Sequence, residues 1–493
     1  MTEQIRQVAV LGGGITGLSA AFYLLKQAKE SGEKVAVTVF EGSDRLGGRV
    51  NTLRRDGFVI ERGPDSFLGR KLPMIELARE LGIDGELTGT NPEAKKTYIS
   101  MDGKLHPMPE GLTLGIPSDQ EKFGKTELVS EEGKLRALED LIISSEEDAG
   151  DESVGAFLER RMGKEMVERI FEPLLAGIHA GDLYRLGLQA TFPQFKQMVR
   201  EHGSLIAGTQ ATQQAAAAKA KENPISNVNT AALNANQLPS TVFMTFRNGL
   251  STLIEALESR LIAEECTIRV GAQVETIERV SGEDAKAKES YRLELADGTL
   301  VAVDDVLITL PAYTTAQLLA PHMDVSALTN IRYVSVANIV LAYDEVGFNH
   351  ELNGSGFLVP KGEHRHITAS TWTSSKWLHT APKGKRLIRC YVGRAGDERG
   401  VELSDEVLAG VVQRDLYDLM GLTATPIFVE ITRLRHSMPQ YPIGHIDAIA
   451  SFRENMKDEL PGVLTTGAAF EGVGLPDCIA QGKQAAEALL ANR

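Results

Sequence analysis

Cysteine is scarce in this 493-residue chain. There are three, Cys266, Cys390 and Cys478, far apart and with no C-x-x-C pair. That excludes a disulfide framework and a thiolate zinc site, and it fits a reducing compartment. His364 and His366 form an H-x-H with no Cys or carboxylate cluster beside it, so no metal is expected. Long apolar runs are absent. No window approaches the ~18 uninterrupted apolar residues of a membrane span. The opening residues, MTEQIRQ, lack the basic and apolar regions of a secretion signal. Positive charge is in deficit: the net charge is −15, which argues against nonspecific nucleic-acid binding. These absences describe a cytoplasmic globular protein. Its length suggests roughly two to four domains.

The stretch from Val8 to Arg49 organises the rest. A short apolar run, Val8 to Leu11, reads as a buried strand. Gly12, Gly14 and Gly17 follow at G-x-G-x-x-G spacing, and Leu18, Ala21, Phe22 and Leu25 continue with helical period. A second strand, Val35 to Phe40, ends in Glu41. The three glycines have separate duties. Gly12 permits the turn, Gly14 lets the backbone approach a pyrophosphate, and Gly17 lets the helix pack on the strand. The helix N-terminus supplies N–H groups to the anion. The turn Gly12, Gly13, Gly14, Ile15, Thr16 and Gly17 is therefore a candidate dinucleotide cradle. Glu41, with Gly42 after it, is placed to accept hydrogen bonds from ribose hydroxyls. Directly after comes R-x-G-G-R, Arg45 to Arg49. It resembles the second glycine pair of glutathione-reductase-like flavoproteins of the amine oxidase type, whose arginine meets the FAD pyrophosphate. The cofactor expected is FAD.

Farther on, Thr52 to Glu61 reads as a hairpin turning at Arg55-Asp56-Gly57. It ends in the turn Gly63-Pro64-Asp65-Ser66, and a helix spans about Pro73 to Leu81. Helical signals dominate from Gly133 to Arg200. The run Glu172 to Asp182, EPLLAGIHAGD, is expected to interrupt them, being too glycine-rich for a helix interior. Ala207 to Pro239, rich in Ala, Asn and Ser, reads as a mobile surface excursion that includes at most a short helix. Strands return from Val242, and from Ala312 to Arg435 they alternate apolar and polar residues, as in an antiparallel sheet with one ligand-facing side. A helix, Asp405 to Met420, lies among them. The chain closes with a strand, the loop Gly472-Val473-Gly474 and a helix from Pro476. That helix N-terminus suits negative charge on a reduced flavin.

Together GGGITGLSAAFYL, RLGGR, ERGPDSFL, EPLLAGIHAGD, TFPQF, SVANIVLAY, SMPQYPIGH and FEGVGLPDCIAQG resemble the porphyrinogen oxidases of haem biosynthesis. The resemblance covers nearly the whole chain outside Ala207 to Pro239. It is strongest to the Gram-positive bacterial type, which oxidises coproporphyrinogen III. The first two motifs are common to many flavin oxidases, whereas SMPQY, GVGLPDCI and GIHAGD are restrictive. Two positions depart from the pattern. Leu434 stands where the family often has Trp, so an aromatic near the flavin is missing or supplied elsewhere, for instance by Trp372. His179 stands where the family has Tyr.

The resemblance implies an α/β fold with a discontinuous, Rossmann-like FAD domain of the glutathione-reductase type, an α+β substrate domain and a helical domain. The FAD domain is expected over 1–72, 237–305 and 440–493. The substrate domain takes 73–105 and 306–439, and the helical domain 106–236, with the mobile segment near 207–239. The implied reaction removes six electrons from a porphyrinogen in three rounds, with O2 as acceptor and H2O2 as product. The flavin carries the difficult step, so no catalytic acid or base is required of the protein. Noncovalent FAD would be held by the glycine turn, Glu41, Gly42, Arg49, Gly63 to Ser66, Val274 on the adenine side, and Gly472 to Gly474. Arg70 and Lys71 follow the flavin-proximal turn and are candidates to pair with substrate propionates. Gly177, Ile178 and His179 would let the backbone approach a flat macrocycle. Protoporphyrinogen IX is the alternative substrate, and an amine oxidase or a flavin-binding scaffold without turnover are the alternative functions. No nucleic acid or transmembrane partner is expected. Transient contact with the next haem-pathway enzyme, and weak peripheral contact with a membrane, fit the resemblance.

Overall fold

In the computed structural model, residues 5–144, 150–222, 241–280 and 290–491 are described. Five short strands form a parallel sheet, in the order Thr267–Arg269, Val35–Phe40, Arg6–Leu11, Asp305–Ile308 and Val463–Thr465. Val8 to Leu11 and Asp305 to Ile308 are buried throughout, as expected for central parallel strands covered on both faces. The first helix, Ile15–Ser31, and the last, Leu475–Ala491, pack side by side in the core on one face. They approach closely because Gly482 has no side chain: a Cβ there would lie 2.6 Å from Thr16 O. The opposite face carries the three-stranded sheet Val274–Val280, Ser290–Leu295, Leu300–Val303.

A second sheet has seven strands, in the order Phe428–Gln440, Arg332–Asp344, Lys385–Val392, Ile367–Thr371, Gly356–Leu358, Thr97–Met101 and Lys104–Pro107. All its pairings are antiparallel except that of Gly356–Leu358 with Thr97–Met101. Helix Asp405–Met420 packs against it through Leu408, Val412, Leu416 and Leu419. A helical layer with its own core contains Phe157, Ile170, Phe171, Phe195 and Ile206.

Three expectations need correction. Helix Leu205–Glu222 occupies the front of the supposed excursion. Its alanine-rich sequence has high helix propensity, and low complexity alone did not signal a loop. Residues 223–239 lie outside the described residues. Glu172 to Asp182 stays helical as far as His179, and the interruption comes only at Ala180, which has φ +49°. Val167–Ala176 is wound with the wide π-type hydrogen bonds, and Gly177–His179 continues as helix. Pro173 has no N–H to donate, and the widened turns accommodate it. Finally, the cores cut across the expected domain boundaries. Helix Leu72–Glu80 shares a core with the first helix through Met74, Ile75, Leu77 and Ala78. Strand Asp305–Ile308 sits inside the parallel sheet, and helix Ala312–Leu319 packs beneath it.

Among the described residues, no helix is long and apolar enough to cross a membrane.

Candidate functional site

The cradle is built where the first strand turns into the first helix. Gly12 has φ +110°, and its N–H donates to Phe40 O at 2.8 Å. A Cβ there would lie 2.7 Å from Thr309 Oγ1, which in turn donates to Leu11 O at 2.9 Å. Gly17 is tighter still: its Cβ would sit 2.0 Å from Gly12 O. Gly14 is different. It caps the first helix in extended conformation, φ −75° and ψ 177°, offers no side chain to the helix end, and has no atom within 4 Å of where a Cβ would be. The turn therefore closes on itself at Gly12 and Gly17 and opens at Gly14, beside the positive end of a 17-residue helix. Ile15 and Thr16 are buried beneath it.

A second wall faces this opening. Gly47 N–H donates to Gly13 O at 2.8 Å, and a Cβ on Gly48 would come within 3.3 Å of Gly14 Cα. Arg45 ties the loop together by donating to Leu46 O, Gly48 O and Val50 O at 3.1, 2.6 and 3.2 Å. Arg49 is exposed, and its Nη2 reaches Arg435 O and His436 O at 3.3 Å. At the tip of the second strand, Glu41 Oε2 accepts from Gly13 N–H at 2.8 Å. Its Oε1 accepts from Ser43 N–H and Oγ–H at 2.8 and 2.7 Å. A carboxylate has about four acceptor positions, so capacity for a ribose hydroxyl remains. Glu41 O also receives Ala272 N–H, which brings the start of strand Val274–Val280 alongside, and Gly42 packs on Gln273. These residues fit a dinucleotide: an open glycine, a helix N-terminus without a side-chain cap, and an acidic strand tip.

The turn Gly63 to Ser66 crosses behind Arg49, and a Cβ on Gly63 would lie 1.8 Å from Arg49 O. Ser66 Oγ donates to Asp65 at 2.7 Å. Burial alone would raise the Asp65 carboxyl, but Lys376 and Arg389, each 3.8 Å away, and Ser66 hold it down at about 2. The adjacent Glu61 goes the other way. Burial pushes it up to about 7, against hydrogen bonds from Leu250 N–H and the Thr52 hydroxyl.

The closing loop completes the arrangement. Gly472 has φ +129°. Its N–H donates to Tyr441 Oη at 3.1 Å, and its carbonyl accepts from Gln481 Nε2 at 3.2 Å. Val473 and Gly474 lead into the last helix, and Asp477 in its first turn holds Lys71 Nζ at 2.6 and 2.7 Å. Lys71, expected as an available cation, thus has a partner 406 residues away, while Arg70 beside it is exposed. Tyr441 leads to the other candidate group. Its ring lies 6.0 Å from that of His179, and Gln440 Nε2 donates to His179 O at 2.8 Å. His179 is buried between Tyr441 and Phe192, with no hydrogen-bond partner for Nδ1 among the described residues. Burial depresses its pKa to about 4, so it is neutral at physiological pH. Gly177 and Ile178, on the same short helix, are exposed.

The structure therefore joins Lys71 and Tyr441 through the 472–477 loop and brings His179 against Tyr441. Trp372 does not take the place of an aromatic at Leu434. It is fully buried in the core of the seven-stranded sheet, against Tyr98 and His350 at 5.5 and 5.1 Å. Sequence reading missed Asp477, Thr309 and Arg389. Asp477 lay inside the GVGLPD segment already singled out, and a carboxylate in a first helical turn was the available signal. Nothing local marked the other two.

The model of the family described as flavin containing amine oxidoreductase matches residues 15–490. The chain is 40% identical over 485 residues to the coproporphyrinogen III oxidase of Bacillus subtilis (strain 168), covering 98% of each. It is 39% identical over 491 residues to the coproporphyrinogen III oxidase of Staphylococcus aureus (strain NCTC 8325 / PS 47), covering 99% of each. A crystal structure from Exiguobacterium sp. 255-15, assigned as a protoporphyrinogen oxidase, superposes with a TM-score of 0.84 at 33% identity, over 99% of this chain and 100% of that one.

Proposed function

The chain belongs to the flavin containing amine oxidoreductase family, and from that premise we propose that it is an FAD-dependent oxidase of coproporphyrinogen III in haem biosynthesis. One observation carries the choice of substrate: two full-length relatives, 40% and 39% identical, are coproporphyrinogen III oxidases. FAD supplies the hydride-accepting chemistry when bound. The product is coproporphyrin III. Dioxygen is the acceptor in this reading, and hydrogen peroxide leaves.

The protein's own part is to bind, orient and exclude water. The open face at Gly14, the first-helix N-terminus and Arg49 would hold the pyrophosphate. Glu41 and Gly42 would take the ribose, and Val274 the adenine side. The Gly63–Ser66 turn and the Gly472–Gly474 loop would flank the flavin ring. Arg70 and Lys71 would meet substrate carboxylates, with Lys71 shared with Asp477. Gly177 and Ile178 are exposed on their helix and would lie along the macrocycle. Neutral His179 backs them, and no acid or base is assigned to it.

We divide the chain by its cores. Among the described residues, the nucleotide domain takes about 5–89, 241–280, 290–330 and 440–491, the substrate sheet 97–107 and 331–439, and the helical domain 108–144 and 150–222. A cytoplasmic setting, with brief contact to the enzyme that consumes the product, belongs to the same reading. The three cysteines, all free and buried, suit a reducing compartment.

The test is aerobic turnover of coproporphyrinogen III and protoporphyrinogen IX side by side, followed by porphyrin fluorescence. Faster oxidation of the first is expected. Preference for the second would move the assignment to protoporphyrinogen. Oxidation of neither above the uncatalysed rate would overturn it.

A further inference from the structure

The Gly63–Ser66 turn is held from outside the nucleotide core. Arg389 projects from strand Lys385–Val392 of the seven-stranded sheet and is 4% exposed. A guanidinium so deeply buried is costly unless its donors are answered. Nη2 donates to Gly63 O. Nε donates to Asn338 Oδ1 at 2.8 Å, and Asn338 Nδ2 donates to Glu61 O at 2.8 Å. Nη1 has no hydrogen-bond partner among the described residues and faces Asp65 Oδ2 at 3.8 Å. The guanidinium also lies 4.8 Å from the centre of the Tyr391 ring.

Two side chains on neighbouring sheet strands therefore hold two points of one short segment by hydrogen bonds, the carbonyls of Glu61 and Gly63, and set a positive charge 3.8 Å from the Asp65 carboxylate. Asn338 is the smaller part of the grip. It fixes the plane of the guanidinium, because a planar fork satisfies Gly63 only when Nε is also held. The gripped point is also the crossing point. The Arg49 carbonyl passes so close to Gly63 that no Cβ fits between them. Moving Gly63 therefore moves the backbone of Arg49 and, through Gly47 and Gly48, the wall facing Gly14.

We propose that Arg389, oriented by Asn338, is a positioning residue for FAD: it holds the Gly63–Ser66 turn in register with the Gly47–Arg49 wall from the substrate sheet. The proposal rests on the reading of that turn as part of the flavin site. An ion pair that merely joins two domains would affect folding stability and leave flavin affinity alone.

The experiment reconstitutes four apoproteins with FAD: wild type, Asn338→Ala, Arg389→Lys and the double variant. Dissociation constants come from quenching of FAD fluorescence, and the melting temperature of each apoprotein is measured alongside. Arg389→Lys keeps a charge beside Asp65 but cannot present the fork. It should weaken FAD by about tenfold or more, equivalent to about 1.4 kcal/mol. Asn338→Ala should weaken it by about threefold, and the double variant should be no worse than Arg389→Lys alone, because the two act through one group. The residual holoprotein should show a shifted visible flavin band. Affinity within about twofold of wild type in folded Arg389→Lys, whatever its melting temperature, overturns the proposal, as do additive effects. If Arg389→Lys does not fold, Asn338→Ala decides alone, and unchanged affinity there overturns it. Gly14→Val separates the two levels. If it retains FAD, the cradle reading fails. If it loses FAD while Arg389→Lys binds normally, only this proposal fails.

Discussion

Gly14 offers a clean perturbation because its surroundings separate binding from folding. Its φ of −75° and ψ of 177° suit any residue, and the position of a Cβ is free of neighbours to 4 Å. Alanine there meets no neighbour in the apoprotein. The gain of about 0.4–1 kcal/mol from narrowing the unfolded ensemble is offset by the poorer helix cap that alanine makes, so the apoprotein should melt close to wild type. On the proposed reading the open space is where the pyrophosphate comes close to the backbone, so Gly14→Ala should weaken FAD and Gly14→Val should abolish its binding. Gly17 is the control. A Cβ there would meet a backbone carbonyl at 2.0 Å, and overpacking of that kind costs about 1–3 kcal/mol or more.

The assay is thermal unfolding of each apoprotein with and without added FAD. At a hundredfold excess over the dissociation constant, a ligand stabilises the native state by about 2.7 kcal/mol. At about 2–4 °C per kcal/mol for domains of 150–250 residues, wild type should gain about 5–10 °C, and less if a larger unit melts cooperatively. Gly14→Val should gain nothing while its apoprotein melts where apo wild type does. Gly17→Ala should melt lower from the start. A Gly14→Val protein with a full FAD-induced shift would refute the reasoning. So would one that melts as low as Gly17→Ala without ligand.

Three further outcomes follow from the same geometry. FAD is held without a covalent bond, so acid precipitation should leave the yellow chromophore in the supernatant; colour in the pellet would contradict this. Glu61 titrates near 7 in the folded state, raised from 4.5, so its stabilising effect is complete below about pH 4.5 and is lost as pH rises through 7. Glu61→Gln mimics the protonated form and should match wild type in stability near pH 4.5 but exceed it at pH 8 by at most about 3 kcal/mol, read as a higher melting temperature. His179 has the opposite sign: its pKa falls from 6.5 to about 4, so its contribution is present above 6.5 and lost as pH falls toward 4. His179→Phe should lose less melting temperature than wild type between those pH values, and identical pH profiles would remove His179 from the account.

Local features were legible where the physics is local. Strand Val35–Phe40, the Thr52–Glu61 hairpin and helix Asp405–Met420 are where periodicity and turn residues put them. The place of Glu41 at a strand tip, the tight turn at Gly12 and the close packing at Gly17 could be read from position and spacing. The failures involve competition between local and tertiary preference. Glycines argued for a break over Glu172 to Asp182, but a buried apolar face on Ile170, Phe171 and Leu175 keeps the segment wound, largely in π form, as far as His179, and the break falls at Ala180. Leu72–Glu80 and Ala312–Leu319 have ordinary amphipathic patterns, and such a pattern says that a helix has a core to join without saying which. Arg389 was invisible for the same reason. One of two arginines in the strand Lys385–Val392, it acquires meaning only from the Gly63 carbonyl opposite, 326 residues away.

On the proposed reading, the Lys71–Asp477 pair keeps a positive spot for an anionic substrate in an acidic protein. The two groups are 38% and 27% exposed, so water screens them and the pair itself adds little to stability. Its effect is on position. Asp477 is fixed in the first turn of the last helix, beside Gly472 and Gly474, so it holds the ammonium against the closing loop instead of letting it sweep through solvent. An ammonium has three donors, and Asp477 takes two contacts. A propionate arriving at the third meets a cation already oriented but half neutralised. The two residues should then act in opposite directions on substrate binding. Lys71→Ala removes a charge-assisted contact of roughly 1.5–3 kcal/mol, or about 10- to 150-fold, and should raise KM for coproporphyrinogen III with FAD occupancy unchanged. Asp477→Asn keeps the anchor's shape and releases the full charge of Lys71, so KM should fall at low salt and return toward wild type as salt screens the site. Steady-state kinetics across an ionic-strength series measures both. If Asp477→Asn raises KM as Lys71→Ala does, the pair is a structural clasp and the propionate is held elsewhere, with exposed Arg70 the next residue to remove.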